Sequence, residues 1–313
     1  MGKPVLFVTG LGNDLNRAEN IRALYEAYQG GKRMMSAGDP NYENVVGSGV
    51  YDLMVIDIFP RIRPKRAMMV WHAIQGGKYI GLDQKGSYYR EDMAGLMDCI
   101  VAAGSGGVDM FHRCTGVPKE KILNLGMPRT DRYTRWTKPQ NGKRKYLYAP
   151  TFRGGGDVKM PETDWKAIDE LLTDDELMMV KAHPYGPEFR LEGYRHIVEI
   201  RKMEPTVTYL MDADVVITDY SSIIFDGWLM EKPAVLFEKE KGYTQQRGMY
   251  LEYPGGYSER YATDERELVR LIREAEGLTE TERRCRDYVA DMCDGHSCER
   301  ICKLIDELNN EKS

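Results

Sequence analysis

The chain has 313 residues, 42% hydrophobic and 30% charged, with a formal net charge of −5; this describes an ordinary globular protein with room for two domains. The acidic balance argues against general nucleic-acid binding, and no apolar run reaches the roughly 18 residues of a membrane-spanning helix. The N-terminus lacks the layout of a secretory leader, which points to a cytoplasmic protein.

Taken in chain order, "PVLFVTG" (4–10) reads as a buried strand, followed by a Gly/Asn loop and the helix "NRAENIRALYEAY". Further apolar runs follow at 51–59, 66–73, 97–104 and 122–126. Runs this apolar on both faces are expected of parallel strands covered by helices. The polar stretch 134–145 reads as a linker, so that one domain spans 1–138 and a second 139–313. In the second, strands are expected at 146–151, 177–183, 215–219 and 233–237, with helices at about 162–173, 222–230 and 263–277. The last of these starts on acidic capping residues and stops at Gly277. A terminal helix carries Ile301, Leu304, Ile305 and Leu308 on one face, a stripe better explained by packing on a domain than by membrane insertion. Two successive βα domains imply a cleft between open sheets, with ligands at the carboxyl ends of strands.

Two basic stretches, "RIRPKR" (61–66) and "KRK" (143–145), read as solvated turns or as contacts to a phosphate-rich or membrane-associated partner. The six cysteines do not suggest a disulfide framework. Cys285, Cys293, His296, Cys298 and Cys302 cluster without any CxxC pair, in a segment that reads largely as amphipathic helix, so no metal is expected there.

The chemistry gathers at strand ends. His72 leaves one strand before a Gly-rich loop and suits a general base. Arg153 can grip phosphate, and Gly154 to Gly156 allow close backbone approach. His183, followed by Pro184, can donate to a pyrophosphate or merely cap the sheet edge. Asp219 and Tyr220 precede Ser221 and Ser222 at a helix start, where N–H groups and the helix dipole favour an anion. N-capping accounts for one serine but not for both. Asp226, one turn further, can reach ribose hydroxyls. Together these residues suit a nucleotide diphosphate held by the second domain and an acceptor entering from the first.

At this point the sequence resembles the CDP-glycerol glycerophosphotransferases of teichoic acid synthesis. The resemblance rests on "VWHAIQGGKYIGLD", "GVPKEKILNLGMPRTDRY", "YAPTFRGGG", "KAHPY", "ITDYSSIIFDGWLMEKPAVLF" and "DGHSCERI". It implies a GT-B fold, two Rossmann-like domains with parallel sheets facing across a cleft. It implies His72 and His183 as catalytic residues, His72 being the base. Thr151, Arg153, His183, Asp219, Ser221, Ser222, Asp226 and Ser297 would serve the donor, and Gly76, Lys78, Arg129 and Asp131 the acceptor. Ala73, "IQGGKY" and Thr130 depart from the family's usual residues in the acceptor half. The chain also lacks the extra N-terminal region of many polymerising members, which suggests a single-transfer enzyme or a catalytic module.

The expected reaction is metal-independent transfer of glycerol phosphate from CDP-glycerol to a hydroxyl of a lipid-linked cell-wall or capsule polymer, releasing CMP and using no cofactor. A nucleotide-sugar donor, giving glycosyl or sugar-1-phosphate transfer, is the alternative. A non-catalytic module for anionic glycopolymers is the other, and two strand-end histidines count against it. Partners would be the activated donor, the polymer acceptor and, weakly, the inner membrane face, with no nucleic acid.

Overall fold

The computed structural model describes residues 2–10, 19–58, 60, 62–79, 95–134, 136, 142–153, 159–184, 186–240 and 248–310. The chain forms two compact units, one of residues 1–135 with 287–313 and one of residues 136–286.

In the first unit the chain runs through β1 (Val5–Thr9), α1 (Glu19–Ala27), β2 (Lys32–Ser36), α2 (Tyr42–Gly47), β3 (Leu53–Ile56) and β4 (Arg66–Val70). It continues through β5 (Cys99–Ala102), α3 (Ser105–Thr115) and β6 (Ile122–Asn124). All six strands are parallel, in the order β2-β1-β3-β4-β5-β6. The order reverses between β1 and β3, the point at which such sheets open a crevice for ligands.

The second unit holds β7 (Arg144–Tyr148), α4 (Trp165–Leu171), β8 (Glu176–Lys181), β9 (Ile197–Ile200), α5 (Thr206–Asp212) and β10 (Val215–Thr218). There follow α6 (Ile223–Leu229), β11 (Ala234–Phe237), β12 (Tyr261–Ala262), α7 (Glu265–Glu274) and α8 (Glu280–Val289), with α9 (Ser297–Asn310) closing the chain. The sheet order is β12-β11-β10-β7-β8-β9, again all parallel, with its reversal between β7 and β10. The α/β reading with two Rossmann-like parallel sheets holds.

The central strands are where the apolar runs place them but shorter, because side chains just past a strand can stay apolar while the backbone turns away. The run 51–59 pairs only as Leu53–Ile56, the run 66–73 only as Arg66–Val70, and the run 146–151 is shifted to Arg144–Tyr148. The three strands that carried no signal, β2, β9 and β12, include both edge strands of the second sheet and one of the first. β2 begins with half-buried Lys32 and exposed Arg33 before its two Met residues, and β9 sets exposed Val198 beside half-buried Glu199; edges of this kind carry charge and form no continuous apolar run.

α9 buries Ile301 and Ile305 completely, with Leu304 and Leu308 packed beside them, against Val5, Phe7, Leu53 and Met68 of the first sheet. Domain packing therefore accounts for the stripe. In the second unit, Gly227 lets α6 lie close on β10, since a Cβ there would meet the Val216 side chain at 2.8 Å. Among the described residues no helix is long and apolar enough to cross a membrane. All six cysteines are free thiols.

Candidate active site

At the switch point of the first sheet, Asp57 follows β3 and Gly10 follows β1. The Asp57 carboxylate accepts from Thr9 Oγ1 at 2.8 Å and from the Gly10 N–H at 2.7 Å. Gly10 is required, because a Cβ there would overlap Ile58. Asp57 is 1% exposed, and both its donors are neutral. Burial pushes its carboxyl up to about 6, against the opposing pull of those two hydrogen bonds and of one from its own backbone.

His72 lies two residues beyond β4, its ring 4.4 Å from that of Trp71. Its Nδ1 is 3.5 Å from the Asp57 carbonyl oxygen. A carbonyl can only accept, so this long contact favours the tautomer with the proton on Nδ1, which leaves Nε2 its lone pair. The backbone around it is pinned as well. Asn20 of α1 donates to the Trp71 carbonyl at 2.8 Å and accepts from the Arg129 N–H at 3.0 Å. Arg129, in the 3-10 turn Pro128–Arg132, donates from Nη1 to the His72 carbonyl. Burial lowers the His72 pKa to about 4; the Asp57 carbonyl opposes this, and the positive fields of Arg129 and Lys78 add to it. The ring is thus neutral at neutral pH, as a proton acceptor must be.

At the switch point of the second sheet, Asp219 follows β10 and Thr151 lies just past β7. Asp219 accepts from the Thr151 N–H at 3.0 and 3.2 Å and from the Tyr220 N–H at 2.7 Å. Here a cation joins in. Arg153 Nη1 lies 2.6 Å from Asp219 Oδ2, and Arg153 Nε lies 3.0 Å from Glu240. The same Nη1 reaches the Thr151 carbonyl and the Tyr220 hydroxyl. Burial works against the Arg153 charge, but Asp219, Tyr220 and Glu240 outweigh it and hold the group firmly protonated. His183, two residues past β8, packs its ring 4.7 Å from that of Phe152, tilted by 56°. Ser222 is the residue before α6, yet its side chain makes no capping hydrogen bond. Ser221 and Ser222 are half-buried, and Asp226 in the first turn is 3% exposed.

The family model described as CDP-Glycerol:Poly(glycerophosphate) glycerophosphotransferase matches residues 48–307. The chain belongs to this family. It is 24% identical over 274 residues to the teichoic acid glycerol-phosphate primase of Bacillus subtilis (strain 168), an alignment covering 82% of this chain and 71% of the primase. Against the teichoic acid poly(ribitol-phosphate) polymerase of Bacillus spizizenii, identity is 25%, over 81% of this chain but only 46% of the polymerase. The chain thus spans about half the length of that relative. The solved structure of the wall teichoic acid polymerase TagF superposes with a TM-score of 0.77 at 17% identity, covering 98% of this chain and 88% of that one. Its fold is therefore shared. The family is one of glycerol-phosphate and ribitol-phosphate transferases of teichoic acid synthesis.

Within this glycerophosphotransferase framework the expected site residues separate. Thr151, Arg153, Asp219 and Tyr220 come together in the second unit, with His183 on the neighbouring strand. Arg153 is already ion-paired twice, so as arranged it supports the loops rather than offering an open guanidinium to phosphate. Ser297, expected beside the donor, belongs to the first unit. There the N–H groups of Ser297 and Cys298 donate to the two oxygens of Asp131 at 3.0 and 2.7 Å. Asp131, expected on the acceptor side, thus caps α9. In "DGHSCERI", Asp294 pairs with Arg300 at 2.8 Å, which holds its carboxyl down to about 2. Gly76 is buried, and Lys78 half-buried within the electrostatic reach of His72. Gly154 to Gly156 and Arg61 lie outside the described residues.

The basic stretches are largely taken up internally. Arg63 pairs with Asp98 at 2.6 Å, and Arg66 donates to the Leu308 carbonyl. Arg144 donates to the Ala275 carbonyl at 2.8 Å, and Lys145 pairs with Asp212 at 2.6 Å. Asp57, Asn20 and Glu240 escaped the sequence reading. Only Asp57 had a signal, since "LMVID" matches "VVITD" in pattern.

Proposed function

We propose that this chain moves glycerol phosphate from CDP-glycerol to a hydroxyl of a lipid-linked cell-wall or capsule polymer, releasing CMP. The observation that carries the reading is the His72 imidazole, neutral and held with its proton on Nδ1 so that Nε2 can take another. In this reading the acceptor hydroxyl gives its proton to Nε2. Its oxygen bonds to the β-phosphorus while the bond from that phosphorus to the CMP oxygen breaks. Such transfer depends on positioning and on charge placed against the phosphoryl oxygens. The half-buried serines, the start of α6 and His183 would supply that charge, with Arg153 and Asp219 fixing the loops that carry them. Asp226 would sit near the ribose or the transferred group.

Two residues of "RIRPKR" hold the fold together, which leaves that segment less charge to offer an anionic membrane face; the lipid-linked acceptor itself would bring the enzyme there. The experiment is calorimetry with CDP-glycerol, CDP-ribitol and a UDP-sugar. Preference for CDP-glycerol supports the proposal. Tighter binding of the UDP-sugar would move the enzyme to sugar or sugar-phosphate transfer on the same fold.

A further inference from the structure

The sheet of the first unit places a buried carboxylate at its switch point that the proposed chemistry does not use. We infer that Asp57 is a positioning residue for His72: its carboxylate ties the ends of β1 and β3 together, and its carbonyl oxygen holds the imidazole with the proton on Nδ1. The inference rests on reading His72 as the base.

The argument starts from what the side chain meets. Two donors, Thr9 Oγ1 and the Gly10 N–H, face the two oxygens of one carboxylate. Asparagine has the same shape, but its NH2 group cannot face the Gly10 N–H and would meet the Thr9 hydroxyl only if that hydroxyl turned to accept. The aspartate accepts from both without that change, which fixes its rotamer and with it the peptide whose carbonyl meets His72. The carboxylate is 1% exposed, and the Thr9 hydroxyl and Gly10 N–H that donate to it are both neutral. Burying an ion this way is costly, and a site serving only to close a turn would not require one. Its raised pKa, about 6, reflects that cost.

The geometry joins this carboxylate to the reacting group through a single residue. Thr9 and Gly10 close β1 at the switch point, so the same contact fixes that strand end and the base. His72 is faced by Arg129 and Lys78, with Glu19 standing 3.9 Å from Arg129. Burial sets most of the ring's low basicity and those cations add to it, whereas the Asp57 carbonyl opposes both and selects which nitrogen is available.

The test uses the full chain and its five histidines, followed by nitrogen NMR of the rings, together with donor turnover. In the wild type the His72 signal should show a neutral ring protonated on Nδ1 at neutral pH. Asp57→Asn should give a mixture of tautomers and a kcat roughly 10–100-fold lower, with the KM for CDP-glycerol within about 3-fold, because misplacement of a reacting group costs rate rather than donor affinity. Thr9→Val, which removes one donor and keeps the carboxylate, should shift both readouts the same way by less. A folded Asp57→Asn protein with unchanged tautomer and kcat overturns the inference. If Asp57→Asn does not fold, an unchanged tautomer in Thr9→Val overturns it instead. His72→Ala with full turnover would remove the base assignment, while the tautomer readout would still decide whether Asp57 orders the ring.

Discussion

The two switch points are built alike and charged differently. In each, an aspartate just past a strand accepts the N–H of a residue beyond the neighbouring strand: Asp57 that of Gly10, Asp219 that of Thr151. Asp219 then takes a guanidinium at 2.6 Å, whereas Asp57 takes a hydroxyl. One aspartate is therefore part of a buried ion pair that locks two loops, and the other is a buried charge held by neutral donors beside a histidine. The same backbone device serves rigidity in one unit and leaves a group poised to respond to pH in the other.

The largest effect expected is on the histidine. Removing a positioned general base typically costs about 10²–10⁴-fold in rate, so His72→Ala should abolish most turnover while calorimetry shows unchanged CDP-glycerol affinity. The acid limb of kcat/KM due to this ring should lie near 4 rather than 6.5.

Next in size is Asp219→Asn, which takes the buried carboxylate partner away from Arg153. Breaking one side of a buried pair costs about 3–5 kcal/mol, measurable by denaturant unfolding. Asp57→Asn should behave differently, and with a definite pH dependence. Because the folded-state pKa of Asp57 lies near 6, above its ordinary 3.8, its contribution to stability is fully present below about pH 4 and lost as pH rises through 6. The loss is on the order of 3 kcal/mol. The asparagine variant should thus gain on the wild type in melting temperature between pH 4 and pH 7. A constant difference across that range would contradict the contrast between the two aspartates.

A smaller effect is expected from replacing Ser221 and Ser222 together by alanine. CDP-glycerol binding should weaken about 100-fold, as for two lost hydrogen bonds to a charged group at about 1.5 kcal/mol each. Stability should hardly move, since Ser222 does not cap α6. Smallest of all is Arg63→Ala, whose pair with Asp98 is partly exposed. It should cost under about 1 kcal/mol and leave vesicle binding unchanged.

The fold was legible where strands are buried on both faces, as in "VLFVT" and "VVIT", and silent at three of the four edges, where residues such as Lys32, Arg33 and Glu199 break the apolar pattern. Asp219 stood out because "YSS" follows it. Asp57 was hidden because apolar Ile58 and Phe59 follow it, which made the strand look longer than its hydrogen bonding. The pairing of Arg153 with Asp219 could not be read from 66 residues away, and Asp131 and Ser297 looked like site residues although one caps the helix that begins with the other. Sequence pattern reports burial and strand ends well; it does not report which charged groups neutralise one another.

The most direct measurement is CMP release from CDP-glycerol, with and without a glycerol-phosphate or lipid-linked acceptor analogue, for the wild type and His72→Ala. The account predicts acceptor-dependent release by the wild type and its near loss in the variant. Undiminished release by His72→Ala would contradict the assignment of the base, and no release from CDP-glycerol by the wild type with either acceptor would contradict the proposed donor.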